Sequence, residues 1–125
     1  MKLNIEKYQN TSAHTMASSG QIVAAFDMMI KKIHEAQKAL EETNYDKKYK
    51  ILNGIVESIG LLRAAIDVDT QDPVLKNLDR FWQVTEDRLN RFNIEGCDPK
   101  ELSNITTTLC KVREAIEQSL KENQL

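Results

Sequence analysis

"DPVLKNLDRFWQVTEDRLNRF", residues 72–92, carries both the start signal and the period that decide the fold. Aspartate at an N-cap accepts a hydrogen bond from an orphan amide of the first turn, and a proline next to it has no amide to orphan. Asp72-Pro73 therefore predicts a helix start. Behind it Leu75, Leu78, Trp82, Thr85, Leu89 and Phe92 recur at alternating steps of three and four. Such spacing is the seam of a helix packed at a shallow angle against its neighbours.

The same signal recurs at Asp98-Pro99, where Glu101 is placed to complete a capping box. It starts a fourth helix through Leu102, Ile105, Leu109, Val112, Ile116 and Leu120. Upstream, Ile22, Phe26, Met29, Ile30, Ile33, Ala36 and Leu40 predict a first helix from about Ser19 to Glu42, with Ser18 and Gln21 as its capping box. "NYD" at 44–46 interrupts the pattern, and a second helix is expected from about Asp46 to Asp67. Short connections force neighbours to run antiparallel. The expectation is an all-α, antiparallel up-and-down four-helix bundle over residues 19–122, preceded by a flexible or partly helical segment, residues 1–18.

A chain of 125 residues fits one domain and can bury a core without staples. Its two cysteines, Cys97 and Cys110, are too few for a disulfide scaffold, and the opening "MKLNIEK" lacks the apolar core of a secretory signal. A cytoplasmic protein with reduced thiols is expected. No run approaches the ~20 apolar residues that cross a bilayer. The 17 basic and 19 acidic residues leave a net charge of -2, which gives no electrostatic case for nucleic acid or anionic lipid. The "KK" pairs at 31 and 47 read as solvated helix faces.

The second helix carries more apolar surface than a bundle needs. On a wheel of 100° per residue its deep stripe is Leu52, Ile55, Val56, Ile59, Leu62 and Ile66, and the arc continues through Ile51, Ser58, Ala65, Gly54 and Leu61 to span roughly 220°. A surface helix shows a stripe only somewhat wider than ~100°. Two readings stand on wheel geometry alone. Either this is the most buried helix, its small flank packed on a neighbour, or the flank forms a shallow groove for a partner's amphipathic helix. Trp82, the only tryptophan, sits on the flank of the third helix, where indoles serve as interface anchors or as core-edge residues.

Catalytic chemistry finds no foothold. Neither His14 nor His34 has a glutamate three residues before it, as a di-iron bundle requires, and no cysteine pair has zinc spacing. No glycine-rich loop precedes a helix in the phosphate-cradling pattern, and no nucleophile sits in a recognisable setting. No enzyme, metal or cofactor is expected. The alternative is a histidine phosphotransfer domain, also a four-helix bundle, relaying phosphate through His34. Its local pattern resembles H-x-x-K-G, whereas "HEAQKAL" at 34–40 puts Gln37 at the lysine position and Lys38 at the glycine position. That register favours an ordinary boundary histidine.

Taken in order, "YQNTS" (8–12), "TMASSGQI" (15–22), "AFD" (25–27), "AAID" (64–67), "KNLDRFWQVTEDRLNRFN" (76–93) and "VREAIEQ" (112–118) resemble the FliS family of flagellar export chaperones. The chain departs from that pattern where Ser19-Gly20 replaces a proline at the start of the first helix and where Phe26 and Trp82 replace tyrosines. The resemblance implies a cytoplasmic bundle that covers the C-terminal segment of flagellin, prevents premature polymerisation and delivers the subunit to the export apparatus. It also implies that an export-gate or co-chaperone protein can dock.

Under that resemblance, Ile51, Ser58, Leu61, Ala65 and Trp82 are the expected cargo-binding residues, with Tyr8 and Gln9 on a polar N-terminal flap that covers the groove. An inert tail is the other reading of that flap. Asp27, Asp67, Asn77, Arg88 and Asn93 match the family pattern and are expected to fix bundle geometry through pairs and caps.

Overall fold

Four helices follow one another along the chain: α1 (His14–Glu41), α2 (Tyr45–Ala64), α3 (Pro73–Glu95) and α4 (Pro99–Asn123). They are seen in a computed structural model that describes residues 14–65, 71, 73–96 and 98–123. Tyr8, Gln9, Asp67, Asp72 and Cys97 lie outside the described residues, as does Ile66 at the end of the expected second helix.

Local chemistry sets the ends. Asn44 caps α2, its side-chain oxygen accepting from the Lys47 amide at 3.2 Å. Asp98 caps α4 as its sequence predicts, accepting from the Lys100 amide at 2.9 Å. Glu101 does not close the expected box; its carboxylate accepts from Arg88 at 3.0 Å and ties α4 to α3. An arginine one helix away brings a full opposite charge to the carboxylate, where a backbone amide brings only a dipole.

At the end of α1, the Asn44 amide reaches the Ala39 carbonyl at 2.8 Å and the Thr43 amide reaches Leu40 at 3.0 Å. This is a Schellman closure with Thr43 in the left-handed position at φ 57°. Threonine is a poor occupant there because its branched Cβ crowds the following carbonyl. The end of α3 is tight for a different reason. A Cβ on Gly96 would come within 2.5 Å of the Phe92 ring, so only glycine fits.

The ion pairs and hydrogen bonds between helices fix their directions. On α1 and α4, Asp27 pairs with Arg113 and Gln37 donates to Ser103 at 2.9 Å, so the two helices run in opposite senses. On α2 and α3, Lys48 meets Asn93 and Arg63 meets Asp79, again antiparallel. With α1 packed on both α2 and α4, and α2 on α3, the result is the up-and-down bundle that the periodicity predicts.

The core runs the length of the bundle through Phe26, Ile33, Leu52, Leu89, Leu102 and Leu109, all fully buried. Each such side chain contributes roughly 1.5–3 kcal/mol of burial. Near the middle, Phe26 reaches Trp82 with ring centroids 4.7 Å apart, and Phe81 closes the cluster at 5.2 Å from Trp82.

Two expectations need correction. The first helix starts at His14, not Ser19, so Ser18 lies inside it and does not cap it. Met16 and Ala17 are good helix formers, and extending an existing helix fixes one residue per new hydrogen bond without needing an apolar stripe. The second correction concerns the "KK" at 47. Lys47 is exposed, but Lys48 is 7% exposed and points inward.

Candidate functional site

Between α1 and α2 lies an open groove of about 760 Å³. Its α1 wall is built by Ala25, Met28 and Met29, and its α2 wall by Ile51, Gly54, Ser58 and Leu61. Both walls arise from side chains just off the buried stripes. On α1, Phe26, Met29 and Ile33 point to the core, and Met28 falls beside them with 56% of its surface exposed. On α2, Leu52, Ile55 and Ile59 point inward while Leu61 stands 74% exposed.

Small residues give the groove its depth. A Cβ built on Gly54 meets nothing within 4 Å, so no neighbour among the described residues explains the glycine. Glycine in a helix interior costs about 1 kcal/mol relative to alanine, and here that cost leaves a gap in the wall. Ser58 turns its hydroxyl back to the Gly54 carbonyl at 3.1 Å, which satisfies it locally and keeps the wall free of an unmet polar demand.

Polar contacts hold the walls in place from behind. Arg63 donates to Asp79 and to Glu86, both at 3.0 Å, locking α2 to α3. The hydrogen bond that Arg63 donates to Asp79 is the main reason its pKa is raised above the ordinary value. Arg113 bridges Asp27 on α1 and Glu117 on its own helix, and its pKa is raised chiefly by the bond to Asp27. At the far end of α3, the buried Lys48 ammonium donates to the Asn93 side-chain oxygen at 3.2 Å and to the Asn93 carbonyl at 3.3 Å. The Asn93 amide then donates to the Tyr49 carbonyl at 3.1 Å. The ammonium lies 5.7 Å from the Phe92 ring centroid, at the negative end of the α3 dipole. Burial lowers its pKa.

The residues expected at the site divide accordingly. Ile51, Ser58 and Leu61 stand on the groove wall together with Gly54. Ala65 does not, because it forms the C-cap of α2 and is 8% exposed. Trp82 does not either: at 1% exposed it is held inside the aromatic cluster by Phe26 and Phe81 and presents no face to a partner. Of the family-pattern residues, Asp27, Arg88 and Asn93 each join two helices, while Asn77 is exposed on α3. The α1 wall went unpredicted. Its signal was Met28, the first methionine of "MM" at 28–29, adjacent to the core stripe.

The chain matches the family model described as flagellar protein FliS over residues 1–123. It belongs to the FliS family. That family is one of flagellar export chaperones, which accords with a bundle offering apolar surface. No curated protein matches the chain closely enough to mark a relative. Membership in the FliS family does not favour a phosphorelay through His34, which is exposed on α1. Among the described residues no cluster of His, Cys, Asp or Glu forms a metal site. Among them, too, no helix is long and apolar enough to cross a membrane.

Proposed function

We propose that this FliS-family chain is a cytoplasmic flagellin chaperone whose groove between α1 and α2 receives the C-terminal segment of flagellin as an amphipathic helix. The observation that carries the reading is Leu61, a large apolar side chain exposed beside the open space over Gly54. A helix laid there by its apolar face buries Leu61, Met28 and Ile51 in one contact, the helix-in-groove mode of recognition. Flagellin so covered cannot polymerise, and it reaches the export apparatus with that end still bound. Ile51, Ser58 and Leu61 are the proposed cargo contacts. The segment before α1, with Tyr8 and Gln9, is proposed to cover the groove when cargo is absent, since bare apolar surface invites aggregation. An export-gate or co-chaperone protein would then use a face away from the groove.

The test is calorimetric titration with full-length flagellin and with flagellin lacking its C-terminal end. Binding of the first and not the second is expected. Equal binding of both would refute the assignment of cargo.

A further inference from the structure

We infer that the groove selects a helix whose apolar face is flanked by carboxylates, read by Lys32 on one wall and Lys50 on the other. The inference rests on the groove being the cargo site and adds the chemistry of what it accepts.

Among the residues that line the groove, those carrying charge are Lys32 from α1 and Lys50 from α2. The bias is not inherited from the whole chain, which has more acidic than basic residues and a net charge of -2. The remaining polar side chain, Ser58, is occupied by the Gly54 carbonyl and makes no demand on a guest. The groove therefore offers hydrocarbon along its length and a cation on each side.

Each ammonium has a neighbour on its own helix. Lys32 lies 3.8 Å from Glu35, and Lys50 lies 3.1 Å from Asp46. All four side chains are at least 41% exposed, so water screens these pairs and they hold the lysines weakly. An ammonium has three donors, and one neighbour leaves donors free. A docked helix changes the balance. It displaces water from beside both lysines, where a carboxylate at the edge of its apolar face meets a less screened cation. Flanking lysines or arginines would instead be pressed against like charge on both sides, which is how charged rims discriminate partners and set register. The arrangement parallels the charged positions that flank the apolar seam of a coiled coil.

Two amphipathic peptides with the same leucine and alanine face, one flanked by glutamates and one by lysines, test this by calorimetry against the intact chain. The glutamate peptide is expected to bind about tenfold tighter at low salt, with the gap narrowing as ionic strength rises. The preference should vanish in the Lys32→Gln, Lys50→Gln double variant, whose changes fall on exposed side chains. Equal affinities, or a preference that persists in the double variant, would overturn the charge selection while leaving the groove as a binding site. Absence of binding by both peptides would overturn the groove itself and this inference with it.

Discussion

Replacing Gly54 by alanine should move stability and cargo binding in opposite directions. Among the described residues an added Cβ meets nothing within 4 Å, so none of them sets a steric penalty against the gain in helix propensity. That gain is about 1 kcal/mol, partly from restricting the unfolded chain. For a domain of this size it should raise the melting midpoint by roughly 3–5 °C in scanning calorimetry. In the complex the same methyl occupies space taken by the guest helix. Adding a methyl or methylene to a packed contact costs about 1–3 kcal/mol, or roughly a five- to 150-fold loss of affinity for flagellin. A variant that melts higher and binds flagellin with unchanged affinity would show that no partner packs over Gly54.

Thr43→Gly relieves the branched residue held at φ 57° and should stabilise the fold by about 1 kcal/mol; a melting midpoint that does not rise would contradict the Schellman account. Burial depresses Lys48 below its ordinary 10.5, so the unfolded chain binds more protons between that lowered value and 10.5. Its contribution to stability is therefore full above 10.5 and lost as pH falls through the folded value, so the stability difference between the native chain and Lys48→Met should grow with pH in that window. A pH-independent difference in denaturant titrations would refute it. Removing residues 1–13 should tighten flagellin binding and increase self-association at equal concentration, and unchanged values for both would favour an inert tail.

The parts of the fold legible in the sequence are those set by neighbours along the chain. Asp98-Pro99 marks the start of α4 because cap and proline act within one turn, and the Leu89 and Phe92 seam is local periodicity. What escaped depends on residues distant in sequence. A wheel places Trp82 on a flank, but its burial is decided by Phe26 arriving from α1, more than fifty positions away. Lys48 reads as a solvated lysine until the end of α3 supplies Asn93 and Phe92. The start of α1 was missed because residues 14–18 carry helix propensity without an apolar stripe. For the site, the excess apolar arc of α2 was visible, including Gly54 and Leu61. The opposing wall was not, because a single-helix wheel does not say which neighbour leaves a gap.

The account stands or falls on Leu61. It is exposed and makes no contribution to the core, so Leu61→Glu should leave helicity by circular dichroism and the melting midpoint unchanged. Calorimetric titration with full-length flagellin should then show binding weakened by at least about tenfold, because a buried apolar contact becomes an uncompensated charge. A folded Leu61→Glu chain that binds flagellin as tightly as the native one would contradict the groove as the cargo site.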